Sequence, residues 1–379
     1  MSAAPAEAAR PRPASILSPI VDLLCVGGLS ILVIVPLLLS GRSDLGFVSI
    51  GALAWAQALI NYSHFMASYR IIYRDRAMIL RHKWASIGVP LILLGLMAIA
   101  LAAASTTGVL LRLFFAVASA YLAWHYTGQV WGMMASHAFL DGTGFNRGER
   151  LIIRGSLRIL LSWHVVWFLN FWLAGETFAP LASLAPYAET AYEGITWATA
   201  FAFLLGAFGL LRMGLRTRRV PPLRAIVPWV AIFCWYAAIW RWGLPAFFLV
   251  QLAHAIQYLE FPARVELNRA TRDAAGRAFG RLALYAVALL AASFLVILAV
   301  PGPAMSVLAS FLGMEPQKVA PALVLYFINI HHYFTDGVAW KISNPEVRRE
   351  LFAHVAAPMP ARRGTGTLEA GRSRRKAKG

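Results

Sequence analysis

Five histidines in the 379-residue chain sit in otherwise apolar surroundings, each with a polar companion at helical spacing. They are His64 in Asn61-Tyr62-Ser63-His64-Phe65, His125 in Trp124-His125-Tyr126-Thr127-Gly128-Gln129, His254 in Gln251-Leu252-Ala253-His254, and the pair His331-His332 followed by Asp336. Neutral imidazole is a common ligand for Fe, Zn, Cu and Ni, and a bound metal offsets the burial of several imidazoles at once. A metal-bound imidazole usually passes its other N–H to an amide, carbonyl or carboxylate. Residues three or four apart share a helix face, which gives Asn61 to His64, Gln129 to His125, Gln257 and Tyr258 to His254, and Asn329 and Asp336 to His332. The expected ligands are His64, His125, His254, His332 and Asp336, with His331 a further ligand or a base beside the metal. Asn61, Gln129, Gln257 and Asn329 are expected to orient them, and His164 in Ser162-Trp163-His164 to support the site or contact substrate. Tyr258 is counted with Asp336 and His331 among the catalytic groups. For any one of these residues taken alone, a plain hydrogen bond between helices is the commoner role.

The elements that hold these residues are apolar helices. Hydrophobic residues make up 59% of the chain and charged ones 14%, outside the range of soluble globular proteins. The apolar residues fall in runs long enough to cross about 30 Å of hydrocarbon. Spans are expected near Ile16–Leu39, Leu45–Tyr69, Ala85–Ala104, Gly108–Ala135, Ile152–Ala174, Ile195–Leu211, Leu223–Trp240, Leu244–Pro262, Leu282–Val300 and Val319–Trp340. The fold class is therefore all-α: a polytopic integral membrane bundle of about ten transmembrane helices, with a leader over 1–15, one helical domain over 16–342 and a tail over 343–379. Leader and distal tail lack the apolar groups to fold.

Arginine alternates between connections. Arg70, Arg74, Arg76 and Arg81 follow the second span, Arg147, Arg150 and Arg154 precede the fifth, Arg212, Arg216, Arg218 and Arg219 follow the sixth, and Arg264, Arg269 and Arg272 follow the eighth. The intervening Ser105–Gly108 is uncharged and the 175–190 connection is acidic. Basic loops stay inside, so both termini are expected in the cytoplasm, in a multi-pass protein of a bacterial inner membrane. The net charge of +18 then faces anionic lipid and needs no nucleic acid. On this topology the second, fourth, eighth and tenth spans all run inward, which puts their histidines in one layer about 10 Å thick. His82, His137 and His354 are expected to face solvent, Glu260 to pair with Arg264, and Asp22 to be a buried polar group of the first span. Cys25 and Cys234 both fall inside spans and suggest neither a disulfide framework nor a thiolate metal site.

Nucleotide-binding loops, a Gly-x-Ser-x-Gly elbow and a His-Glu-x-x-His helix are absent. One histidine motif on each of four spans resembles the bacterial and archaeal Brp/Blh-type membrane β-carotene 15,15′-dioxygenases. His332 through Asp336 matches that family's His-x-x-x-Asp pattern. Ser68 and Gln129 stand where the family tends to place Asp after His64 and His125, and Tyr258 stands where it tends to place a second histidine. The resemblance implies non-haem iron, Fe2+, with O2 as co-substrate, acting on a lipid-soluble polyene, isoprenoid or fatty-acyl molecule. Trp124, Tyr126, Trp131, Tyr258 and Tyr333 are the aromatic residues expected to line its slot. Two other readings fit the same residues: a proton- or ion-coupled transporter using the histidines and Asp336 as a relay, and a membrane scaffold or assembly factor without turnover.

Overall fold

A computed structural model of the chain describes residues 15–46, 49–104, 109–174, 179–274, 277–299, 316–341 and 344–355. Most of the leader, the uncharged connection 105–108 and the arginine- and lysine-rich end of the tail lie outside the described residues. The described residues form helices and no strand. In chain order the helices are α1 (Pro19–Leu39), α2 (Ile50–Ile72), α3 (Arg76–Arg81), α4 (Val89–Ala104), α5 (Val109–Leu140), α6 (Arg147–Ala174), α7 (Ala185–Thr217), α8 (Leu223–Trp242), α9 (Leu244–Ala274), α10 (Ala278–Ala299), α11 (Pro316–Ala339) and α12 (Pro345–Leu351). Each of the ten expected segments falls largely within one of them. Several helices run on past the apolar stretch, α5 to Leu140, α7 to Thr217 and α9 to Ala274, because arginine and glutamate are good helix formers once outside the hydrocarbon.

Among the described residues, five helices are long and apolar enough to cross a membrane: α1, α6, α8, α10 and a continuous stretch containing α7. The helices α2, α5, α9 and α11, which carry His64, His125, His254 and His332, place amides, hydroxyls and imidazoles within their apolar runs. The five differ in how deeply they sit. The apolar window of α10 is 17% buried and that of α8 is 56% buried, so α10 turns its large side chains outward while α8 threads the interior.

Packing follows the rules of helices that meet without a hydrophobic driving force, with small residues at close contacts and polar hydrogens satisfied locally. Gly206 and Gly209 on α7 let that helix close on α6 and α8. A Cβ at Gly206 would lie 2.4 Å from Trp229 Nε1, and one at Gly209 2.6 Å from Ile153. Buried indoles find acceptors, Trp235 Nε1 donating to Ser30 Oγ at 2.8 Å and Trp163 Nε1 to Thr196 Oγ1 at 3.0 Å.

Two local features bear on the site. In α1 a π-helical turn, Leu24–Gly28, is made possible by Gly27 at φ 137°, and the turn aims the Val26 carbonyl at α9. Gln257 Nε2 donates to that carbonyl at 2.7 Å. At the arginine-rich end the bundle is closed by an apolar cluster in which Ile16, Leu351 and Phe352 pack on Met133, Leu140, Phe261 and Val265. Asn268 Nδ2 ties α12 down by donating to the Glu350 carbonyl at 2.7 Å.

Candidate metal centre

α2, α5, α9 and α11 each deliver one imidazole to a common point. His64 is fixed first: Asn61, one turn earlier, accepts from His64 Nδ1 at 3.2 Å, which leaves the Nε2 lone pair facing inward. His125 Nε2 and His254 Nε2 approach to 3.1 Å. His332 Nε2 lies 3.1 Å from Asp336 Oδ2, and the same oxygen lies 3.9 Å from both His64 Nε2 and His125 Nε2. Ligand atoms of His64, His125, His332 and Asp336 all fall within 4.8 Å of one another. Donors sharing one first-row metal ion at about 2.1 Å are separated by roughly 3 to 4 Å, so these spacings fit a single ion.

Asp336 is held in place from behind. Its Oδ1 accepts from Ser68 Oγ at 2.6 Å and from Tyr258 OH at 2.8 Å, so Oδ2 is left for the centre. The Ser68 and Tyr258 hydroxyl oxygens lie in contact with each other, and Trp340 Nε1 donates to the Tyr258 hydroxyl. Gln129 Nε2 donates to the His254 carbonyl at 3.1 Å and to Gln257 Oε1 at 3.0 Å, linking α5 to α9 just below the imidazoles. Rings fill the remaining space: Tyr258 lies 4.0 Å from His64, Tyr126 4.3 Å from His254, Tyr333 4.5 Å from His125 and Phe65 4.6 Å from His332, between centroids.

His64, His254 and His332 are at most 2% exposed; His64 Nε2, His254 Nδ1 and His332 Nδ1 have no hydrogen-bond partner, and His332 Nε2 has only Asp336 Oδ2 beside it. An unsatisfied buried polar atom costs about 1–3 kcal/mol. Four imidazoles and a carboxylate packed this way form a nitrogen–oxygen donor set that a cation would satisfy together, where separate interhelical hydrogen bonds would have dispersed them.

Two expected site residues stand elsewhere. His331 points away from its neighbour: its Nε2 donates to the Ala85 carbonyl at 3.0 Å and meets Tyr73 OH at 3.2 Å, while its ring stacks on Tyr69. Successive residues on a helix diverge by about 100°, so His332 alone shares the face of Asp336. His164 bonds through Nδ1 to Tyr236 OH at 3.0 Å, and the Tyr126 ring lies between it and His254. Asn329 receives the Tyr333 hydroxyl at 3.4 Å, so its support reaches the site through a ring that stacks on His125.

A cavity of about 320 Å³ opens beside the centre, between α5 on one side and α9 and α11 on the other. His125, Tyr258, Tyr333 and Asp336 line its inner wall, and the exposed Trp124, Gly128 and Gly337 form its mouth. Of the aromatic residues expected in a slot, Trp124, Tyr258 and Tyr333 line this cavity. Tyr126 is buried against His254, and Trp131 packs on Phe145.

Sequence reasoning named Ser68 as a companion of His64 but passed over Trp340 as a partner of the site. Trp340 follows Asp336 by four and His332 by eight, a periodicity that marks it. Ser68 follows His64 by four. His137 corrects an expectation outright. It is 1% exposed, because the 15–18 segment and α12 cover the end of α5 where solvent was expected. Glu260 likewise does not pair with Arg264. Arg264 Nη1 donates to the Ile16 carbonyl at 2.9 Å, and Glu260 Oε1 faces His137 Nε2 at 3.3 Å. His82 is half-buried, and His354 is exposed while meeting the Ser15 carbonyl.

No family model, no curated protein and no solved structure matches the chain.

Proposed function

We propose that the chain is an integral membrane, non-haem iron oxidoreductase that uses O2 to oxidise or cleave a lipid-soluble substrate of the polyene, isoprenoid or fatty-acyl class. One observation carries the reading: ligand atoms of His64, His125, His332 and Asp336, from three separate helices, lie within 4.8 Å of one another at a buried point, and His254 from a fourth helix meets His125 there, Nε2 to Nε2, at 3.1 Å. His64, His125, His254, His332 and Asp336 hold the ion. Iron bound there supplies an open coordination position for O2 and the electrons for its activation.

The chain's own residues do the rest. Asn61 fixes the His64 tautomer by accepting a hydrogen bond from Nδ1–H, and Ser68 and Tyr258 aim Asp336 by donating to Oδ1. Phe65, Tyr126 and Tyr333 shield the imidazoles from water, which protects reactive species from side reactions. The cavity beside His125 admits an extended apolar chain from the bilayer, since its mouth at Trp124, Gly128 and Gly337 lies on the outer surface of the bundle. Anionic lipid is the partner of the arginine-rich loops.

Elemental analysis of detergent-purified protein tests the proposal. Stoichiometric iron in the wild type, lost in His125→Ala at equal yield of folded protein, supports it. Trace metal of mixed identity, the same in both proteins, overturns it. Turnover is then read as O2 consumption on addition of β-carotene or a fatty-acyl lipid.

A further inference from the structure

A second set of ionisable groups is sealed at the arginine-rich end of the bundle. His137 on α5 and Glu260 on α9 meet at 3.3 Å, Nε2 to Oε1, with both side chains 0% exposed. The Asp22 carboxylate of α1 is also there, with ligand-type atoms of all three within 4.8 Å of one another. Asp22 is fully engaged. It accepts the amides of Ile16 at 2.8 Å, Leu17 at 2.8 Å and Ser18 at 3.1 Å, and Arg224 Nη1 at 2.9 Å, which occupies the roughly four lone-pair positions a carboxylate offers. His137 and Glu260 are in the opposite condition: apart from their approach to each other, neither ring nitrogen and neither carboxylate oxygen has a hydrogen-bond partner.

The surrounding charges decide what such a pair can take up. Arg224 from α8 and Arg264, one turn along α9, lie against Asp22 and the 15–18 segment. Cys25 from α1 is within the electrostatic reach of Asp22 and Glu260, and His354 beyond α12 is within that of Asp22 and Arg264. Two arginines balance two carboxylates when His137 and His354 are neutral. A divalent cation would leave a closed site with two uncompensated charges and only Glu260 and His137 free to bind it. A proton adds one charge and needs only one oxygen and one nitrogen, which is what the geometry offers.

We propose that His137 and Glu260 form a buried proton-exchange site, in which one proton moves between Glu260 Oε1 and His137 Nε2. The O–H bond of the acid breaks as the N–H bond of the imidazolium forms, and no other atom changes place. The pair stands at one end of a polar face shared by α5 and α9. His125 meets His254, Gln129 meets Gln257 and His137 meets Glu260, over twelve residues or about 18 Å of α5 and six residues or about 9 Å of α9. Moving the proton from Glu260 to His137 separates a carboxylate from an imidazolium without changing the pair's net charge, and that redistribution responds to a change of charge at the histidine centre. This use rests on the proposed oxidoreductase; the exchange site itself does not.

Infrared spectroscopy of the detergent-purified full-length protein, in H2O and in D2O, tests it. The expected result is a carboxylic-acid C=O stretch at neutral pH that shifts down in D2O, is missing from Glu260→Gln and is displaced in His137→Gln. Absence of such a band from the wild type overturns the proposal, as does its persistence in folded Glu260→Gln. Should Glu260→Gln not fold, an unshifted band in His137→Gln overturns it. Metal analysis after loading with ferrous iron or zinc separates the remaining outcome. Content equal to wild type in both variants supports a proton site, and loss of one ion per chain in both overturns it in favour of a cation site. A wild type that binds no metal sinks the oxidoreductase reading and leaves the infrared result standing.

Discussion

At the scale of single residues, Asp336 does two jobs with its two oxygens. Oδ1 is saturated by Ser68 and Tyr258, and Oδ2 faces His332, His64 and His125. Asp336→Asn keeps the size and loses the charge, and its amide group turns a donor toward either the two hydroxyls or the centre. Iron affinity is expected to fall about 10- to 100-fold with normal expression; unchanged iron and unchanged turnover would remove Asp336 from the site. Tyr258→Phe removes one donor to Asp336 and the acceptor for Trp340, and a loss of about 10-fold is expected. His331→Ala is the contrasting case. Its imidazole serves Ala85 and Tyr73, so metal content should match wild type while stability drops by about 1 kcal/mol. Loss of metal in His331→Ala would show that the pair acts together after all.

At the scale of elements, the site was legible where a polar residue interrupts an apolar run, because nothing but function or interhelical bonding keeps it there. That reasoning reached His64, His125, His254, His332 and Asp336. It did not separate His331 from His332, since adjacency carries no helical phase, and the phase that decides is set by Asp336 four residues on. Nor did it foresee that His137 is buried. The loop charges beyond Leu140 point to water, but the cover over that end comes from Ile16 and from Leu351 and Phe352, segments far away in sequence. The π-helical turn in α1 was equally hidden, although Gly27-Gly28 marks a place where backbone freedom is available. Gly27→Val tests its role. A Cβ there would lie 2.4 Å from Ala231 Cβ, on a backbone at φ 137° that side chains rarely adopt, so a loss of about 2–3 kcal/mol is expected in thermal unfolding in detergent. The same variant should loosen Gln257, which the Val26 carbonyl holds. An unchanged unfolding midpoint would mean that α1 can rearrange without that turn. Gly128→Leu probes the cavity mouth, where a Cβ meets nothing within 4 Å. Metal content should be retained while binding of an apolar chain such as β-carotene weakens, and unaltered binding would place the entrance elsewhere.

At the scale of the whole molecule, the helices divide by composition. Among the described residues α1, α6, α7, α8 and α10 are long and apolar enough to face hydrocarbon, and α2, α5, α9 and α11 carry the polar groups of the candidate centre. Such helices can remain in a membrane only if their polar faces turn toward one another, which makes the site and the fold a single requirement. Orientation is the part that packing alone does not fix, and it follows from charge. The α5 end near Leu140, the start of α6 and the end of α7 share one end of the bundle, where Arg216 bonds to Glu149 at 2.6 Å and Arg212, Arg218 and Arg219 lie close by in sequence. The opposite connections around 175–190 carry Glu176 and Glu189 and no basic residue. The positive-inside rule then predicts that the arginine-rich end, with the His137–Glu260 pair, faces the cytoplasm. A reporter fused after Gly379 should be active only as a cytoplasmic protein, and one inserted between Pro180 and Glu189 only as an exported one. Both sites at once are needed, because a single fusion at a terminus reports the parity of the spans as much as their direction. If both reporters gave the reverse result, the polar end would open to the exterior, and protons reaching Glu260 would come from outside the cell. If both reporters lay on one side, the number of spans between them would be even, and the alternation of arginine between connections would have to arise from something other than topology.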